Sequence, residues 1–140
     1  MPRAKPARVR VVFDTNLWVS MTMGGKIARL ATLLAGSLLE NYVCPELISE
    51  VTEVLQRRKL QRFLKPSNVE ITLDLLESGT THVEISQLVT RSRDAADDYL
   101  LALAQEFKLD FLVTGDKDLL VLGTHHQTEI LTFADFLNRL

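Results

Sequence analysis

The strongest constraint on this chain is that short apolar strand signals alternate with longer stretches of helical spacing. Val9–Phe13 (Val-Arg-Val-Val-Phe) is bulky and β-branched and stops at Asp14. Residues 26–39 follow with helical periodicity, carrying Ile27, Leu30, Leu33 or Leu34, and Leu38 on one side. A short strand over 42–44 is stopped by Pro45, and residues 46–59 repeat Leu47, Ile48, Val51, Val54 and Leu55 at helical spacing. Another helix is expected over 67–77, with Ser67 as a cap and Gly79 just past the end. A third strand over 82–85, a strong helix over 94–107, a nearly all-apolar strand over 110–114, a fifth strand over 129–131 and a last helix from about 134 to 140 complete the reading. Alternation of this kind implies right-handed crossovers and a three-layer α/β/α fold around a central parallel sheet of four to five strands. In such sheets ligands bind beyond the carboxyl ends of the strands. Residues at strand ends and helix starts are therefore the ones to inspect.

Those positions are occupied by acids. Asp14 closes the first strand in Val-Val-Phe-Asp14-Thr15-Asn16, and Asp116 follows the fourth in Leu-Val-Thr114-Gly115-Asp116-Lys117-Asp118. Glu50 lies in the first half of the second helix, and Asp97 and Asp98 lie near the start of the strong one. At about 100° per residue the apolar stripe of the second helix centres near Val51, so Glu50 borders it and Glu53 points away. In the later helix Leu100, Leu101, Ala104 and Phe107 define the buried side, which places Asp97 near it and Asp98 largely opposite. Asp97 is therefore ranked first and Asp98 held in reserve. Structural roles compete for each acid. Asp94 suits an N-cap, Asp97 and Asp98 suit the positive end of a helix dipole, and Asp14 and Asp118 could cap turns. The combination weighs against these roles, because four acids are expected on one sheet edge.

Carboxylates that share a pocket repel by roughly 4 kcal/mol per pair at 4 Å and an effective dielectric of about 20. They require a proton or a cation. All-oxygen ligation without Cys or His suits magnesium or manganese, which activate water and neutralise charge at a phosphate. Thr15, Asn16 and Thr114 have short polar side chains suited to orienting the acids. His82 in a strand and His125-His126 in a late turn are taken as surface or structural residues.

Composition removes other classes. A chain of 140 residues, 46% apolar and 24% charged, fits one domain over 9–140 behind a basic tail over 1–8 (Arg3, Lys5, Arg8). The lone Cys44 excludes an intrachain disulfide or a cysteine zinc cage and suits a reducing cytoplasm. The apolar stretch over 30–39 is far too short to span a bilayer, and the run after the basic N-terminus is too short for a signal peptide. With a net charge of −2, an RNA partner would be held by a local cluster, for which Arg57, Arg58, Lys59, Arg62 and Lys65 are candidates. These five also suit a solvated helix end. Trp18 is assigned to the core or an interface. Leucines on more than one face of the first helix suggest a homodimer or a protein partner.

Four segments, in order, resemble the PIN domain, the small metal-dependent ribonuclease fold of VapC-type toxins. They are Val-Val-Phe-Asp14-Thr15-Asn16-Leu-Trp-Val-Ser, Pro-Glu-Leu-Ile-Ser-Glu50-Val-Thr-Glu-Val-Leu, Arg-Asp94-Ala-Ala-Asp97-Asp98-Tyr-Leu-Leu-Ala-Leu-Ala, and Leu-Val-Thr114-Gly-Asp116-Lys-Asp118-Leu-Leu. The resemblance covers residues 11–140. It implies that Asp14, Glu50, Asp97 and Asp116 are the catalytic, metal-binding acids for Mg2+ or Mn2+, with Thr114 in support. It also implies cleavage of single-stranded or looped RNA by metal-activated water. Matching Ala102-Leu103-Ala104 to the family's small-residue run selects Asp97 over Asp98. The closing Thr-Gly-Asp-Lys-Asp-Leu is similar to the subgroup of toxins from toxin–antitoxin pairs, which implies a cognate antitoxin as partner. The basic tail departs from the pattern. Two other readings were weighed. One is a PIN-type RNA-binding or interaction module without catalysis, against which the complete acid set argues. The other is an aspartyl-phosphate phosphatase, which needs a second aspartate where this chain has Asn16.

Overall fold

The computed structural model describes residues 8–36, 38–92 and 94–140. Of the basic tail, residues 1–7 lie outside the described residues, and Arg8 is exposed. β1 (Val9–Phe13) leads directly into α1 (Thr15–Met23), then α2 (Ile27–Ala35) and β2 (Leu39–Val43). α3 (Pro45–Leu55), a 3-10 turn over Arg58–Phe63, α4 (Pro66–Ser78) and β3 (Thr81–His82) follow. A second 3-10 turn over Ala95–Asp97 opens α5 (Asp98–Glu106), and β4 (Phe111–Val113) comes next. α6 (Lys117–Leu120), β5 (Thr124–His125), β6 (Thr128–Leu131) and α7 (Phe133–Arg139) end the chain.

The strands form one sheet in the order β3-β2-β1-β4-β6-β5. Every pairing is parallel except β5 with β6. The sheet is flanked by helices, as expected of an α/β/α fold. α5 packs on β1 and β4, while α1, α2, α3 and α4 pack against one another. Val11, Val12 and Phe13 are fully buried, as a central parallel strand covered on both faces requires. From β1 the chain builds outward on one side through β2 and β3, then returns to β1's other side with β4. The switch point of the sheet therefore lies between β1 and β4, where a crevice opens at the carboxyl edge.

Four local expectations need correction. The sequence pattern predicts no helix between Asp14 and Lys26, where α1 forms. Thr15, Asn16, Trp18, Val19, Ser20 and Thr22 are modest helix formers, and burial of Thr15, Trp18, Val19, Met21 and Thr22 leaves no clear polar face to read. The helix expected over 26–39 ends at Ala35, before Gly36, so Leu39 opens β2 instead of closing a helix. Ser67 is not a cap: Pro66 takes the first helical position and Lys65 precedes it, although Gly79 does end α4. The sheet has a sixth, antiparallel strand. β5 turns into β6 through His126 and Gln127, with His126 in the left-handed region (φ 53°). Glycine or asparagine would have signalled that turn, and neither is present.

Candidate active site at the carboxyl edge

Asp14 stands at the switch point and is 4% exposed. The pairing of Phe13 with Val113 sets Asp14 beside Thr114, and the Asp14 amide donates to the Val113 carbonyl at 3.0 Å. Thr114 Oγ1 donates to Asp14 Oδ2 at 2.7 Å and accepts from the Asp116 amide at 3.0 Å. One hydroxyl therefore fixes a carboxylate on β1 and the turn that carries the next one. Asp116 Oδ1 in turn accepts from the Asp118 amide at 2.8 Å and caps α6. Asp118 serves through its backbone there.

Asp97 arrives from the 3-10 turn. Asp94 Oδ1 accepts from the Ala96 amide at 3.0 Å and so caps that turn, which is the structural role weighed for it. The helical-wheel reason for preferring Asp97 does not hold, because residues 95–97 are not α-helical and Asp98 is the more buried of the two. Asp98 is buried because its Oδ1 accepts the amides of Arg91 at 3.1 Å and Ser92 at 2.7 Å. It holds backbone, whereas Asp97 faces Asp116 and Asp14.

Glu50, half-buried on α3, reaches the same edge by another route. Its Oε2 accepts from Thr15 Oγ1 at 2.5 Å and from the Tyr99 hydroxyl at 2.8 Å. Glu53 is exposed, as its place on the helix predicts. Tyr99 was not singled out from the sequence. The available signal was its position two residues after Asp97, on the same opening turn of α5. Asn16 was expected to orient the acids with its side chain, but that side chain is exposed. Its amide, with that of Thr15, instead lowers the Asp14 carboxyl without closing a capping hydrogen bond.

The electrostatics reflect crowding. Burial pushes Asp14 above the ordinary carboxylate range, the Thr114 hydroxyl opposes this, and the Asp116 charge adds to it. Burial is also the largest influence on Asp97, followed by its hydrogen-bond contact and charge repulsion with Asp116 and then by the charges of Asp14 and Asp94. Together they raise it to about 8. A hydrogen bond between two carboxyl groups exists only while one is protonated. With both ionised, Asp97 Oδ2 is a buried oxygen with no donor. Burial and the neighbouring Glu50 also raise the Tyr99 phenol, so its hydroxyl remains a donor.

Among the described residues the ion pairs are Arg10–Glu40 and Arg139–Glu129. Among the described residues no lysine or arginine forms an ion pair with the four site acids. Asp14, Asp97 and Asp116 form one electrostatic group, and Glu50 is hydrogen-bonded to Thr15, the residue that follows Asp14. Among the described residues no three Asp, Glu, His or Cys side chains converge tightly enough to enclose an ion by themselves. The donor set nevertheless fits a hard divalent cation, being all oxygen and, among the described residues, without an ion-pair partner and with one buried carboxylate oxygen lacking a donor.

The remaining candidates lie elsewhere. His125 is buried in β5, not in a turn, where Nδ1 meets Arg91 Nη1 at 2.6 Å and Nε2 meets Gln105 Oε1 at 2.9 Å. His82 sits at the end of β3, at the far edge of the sheet. Trp18 is fully buried against Phe13, and Cys44 is buried. Arg57, Arg58, Lys59, Arg62 and Lys65 are all exposed.

An α/β sheet with acids gathered at its switch point places them in the crevice where such sheets bind their ligands. The PIN domain family matches residues 10–118, and the chain belongs to that family. PIN domains are typically nucleases and generally use divalent metal ions, so this is a nuclease-type domain. Among curated proteins no match was found.

Proposed function

We propose that the chain is a metal-dependent endoribonuclease that hydrolyses RNA phosphodiester bonds, with Asp14, Glu50, Asp97 and Asp116 as its catalytic and metal-binding residues. One observation carries the reading. Asp14, Asp97 and Asp116 crowd one crevice in which, among the described residues, no lysine or arginine forms an ion pair with them, and burial together with the Asp116 and Asp14 charges raises Asp97 to about 8. Such a group is stabilised by a cation more than by anything the chain itself supplies.

The four acids would hold Mg2+ or Mn2+. When bound, the ion supplies Lewis-acid stabilisation of phosphate charge and a water of lowered pKa. The chain's own residues orient the groups. Thr114 holds Asp14 and the Asp116 turn in register, Thr15 and Tyr99 hold Glu50, and the buried floor of β1 and β4 limits water to the crevice mouth. Arg57, Arg58, Lys59, Arg62 and Lys65 would hold the RNA backbone beyond the end of α3.

As a second level of the same reading, the enzyme is the toxin of a toxin–antitoxin pair in the cytoplasm, with an antitoxin and a second copy of itself as partners. The motif around Asp116 supports this. Among the described residues no helix is long and apolar enough to cross a membrane. Half-buried Leu33 and Leu34 on α2 and exposed Leu137 on α7 offer apolar surface for a homodimer or higher oligomer; a monomer in light scattering would remove that part.

The purified chain should cleave single-stranded RNA with Mn2+ and lose at least about a hundredfold in rate in Asp14→Asn and Asp97→Asn. The non-catalytic interaction module gains weight because, among the described residues, no three acids converge tightly. RNA binding without cleavage, unchanged in both variants, would select it. Growth arrest on expression, relieved by a short neighbouring reading frame for a DNA-binding protein, tests the toxin role.

A further inference from the structure

We propose that Tyr99 is a positioning residue for Glu50: its hydroxyl, acting with that of Thr15, pins one carboxylate oxygen and thereby aims the other into the crevice. The inference rests on the nuclease reading above and assigns a residue that the acid pattern does not include.

Both donors meet the same atom. Tyr99 donates to Glu50 Oε2 at 2.8 Å and Thr15 to that oxygen at 2.5 Å, and the two hydroxyls lie 3.4 Å apart. Among the described residues Oε1 has no hydrogen-bond partner. A glutamate on a helix ordinarily samples several rotamers. Two donors on one oxygen remove that freedom, because the carboxylate cannot turn without breaking both bonds. The unbonded Oε1 keeps its lone pairs and a fixed direction, the condition under which a carboxylate ligates or orients water well.

The arrangement draws on three elements, since Thr15 opens α1, Glu50 lies on α3 and Tyr99 is on α5. It also explains how Glu50 is kept in step with the other acids. Residues 97, 98 and 99 leave one turn in three directions. Asp97 goes to Asp14 and Asp116, Asp98 to the amides of Arg91 and Ser92, and Tyr99 to Glu50. That turn therefore carries both Asp97 and the hydroxyl that holds Glu50, so one stretch of backbone relates the two acids.

Plain packing is the competing account of Tyr99, whose ring is half-buried against the core. Tyr99→Phe separates the two, because it keeps the ring and removes only the donor. Mn2+ binding by calorimetry and RNA cleavage across a Mn2+ titration would be measured on the full chain, beside Glu50→Gln. Tyr99→Phe should melt close to wild type in chelator, bind Mn2+ about tenfold more weakly, and lose kcat with KM for RNA unchanged. Thr15→Val provides a second arm that does not depend on the folding of the first. It should weaken Mn2+ binding too, and the double variant should lose less than the sum, since both donors serve one oxygen. Wild-type Mn2+ affinity in both single variants, with Glu50→Gln still impaired, overturns the positioning role and leaves the nuclease reading standing. A wild-type chain that binds no Mn2+ and cleaves no RNA overturns that reading, and this inference with it.

Discussion

Burial makes Asp97 resist ionisation, and the facing Asp116 and Asp14 add to that resistance. The unfolded chain releases its proton near the ordinary value of 3.8, and the folded chain holds it to about 8. Between those limits the folded state binds a proton that the unfolded state has lost, so stability falls as pH rises through the window and levels off above it. The raised Asp14 carboxyl acts in the same sense. A divalent ion competes for the same oxygens, so its binding should tighten over the same range. In chelator, the wild-type melting temperature should therefore fall from pH 5 to pH 8.5. Asp97→Asn, neutral throughout, should show a shallower slope and melt above wild type at the upper end. An unchanged slope in Asp97→Asn would assign the effect to another group. At this scale the sequence was readable where a residue's place follows from a strand. Asp14 and Asp116 follow β1 and β4, and strand register alone makes Thr114 a neighbour of Asp14. It was less readable at the start of α5. A wheel drawn through residues 94–107 assumes α-helical rotation from the first residue, whereas the turn before Asp98 is 3-10. Tyr99 was missed for a related reason: its partner, Glu50, lies 49 positions away on another helix, and no local pattern reports such a meeting.

Among the elements, α5 does more than bury its leucines. Its two acids tie down the irregular segment that precedes it. Glu106 Oε1 accepts from the Ser86 amide at 2.9 Å, the Ser86 hydroxyl at 2.7 Å and the Gln87 amide at 3.2 Å. Asp98 takes Arg91 and Ser92 at the other end. The Arg91 guanidinium then reaches Thr124 O at 3.0 Å and His125, which pins the same segment to the edge hairpin. The segment lacks strand or helix bonds of its own, so these side chains define its path and the approach to Asp97. Asp98→Ala removes two charge-assisted hydrogen bonds from a buried carboxylate and should cost about 2 kcal/mol of stability. It should also speed hydrogen exchange at the Arg91 and Ser92 amides well before global unfolding. Unchanged exchange there would mean that the segment is held by its apolar contacts, and Asp98 would return to the list of candidate ligands. The sequence made α3, α4 and α5 visible because each shows a one-sided apolar pattern. It hid α1, buried on several sides, and β5, only two residues long.

For the molecule as a whole, charge separates into regions that net charge conceals. The chain carries −2 overall, and the edge that gathers Asp14, Asp97 and Asp116 is acidic, so a polyanion meets repulsion there unless cations intervene. Metal ions would relieve this at the site, but they do not hold the rest of an RNA strand. Arg57, Arg58, Lys59, Arg62 and Lys65 are exposed on and around the 3-10 turn that follows α3. Arg58 opens the 3-10 turn three residues after the end of α3, the helix that carries Glu50, so an extended strand entering the crevice past α3 could touch both. Within the cluster Arg62 is already committed, lying 4.7 Å from the Phe63 ring centre, whereas Arg58 and Lys59 have no side-chain hydrogen bond or ion pair among the described residues. Arg58→Gln with Lys59→Gln should therefore weaken RNA binding by about tenfold at moderate salt and reduce the slope of log affinity against log salt by roughly 1 to 2. The rate at saturating RNA should stay at the wild-type level, because neither side chain reaches the acids. If the affinity and its salt slope are both unchanged, the cluster is a solvated helix end and RNA is held elsewhere. A drop in the saturated rate alone would instead place these cations at the scissile phosphate.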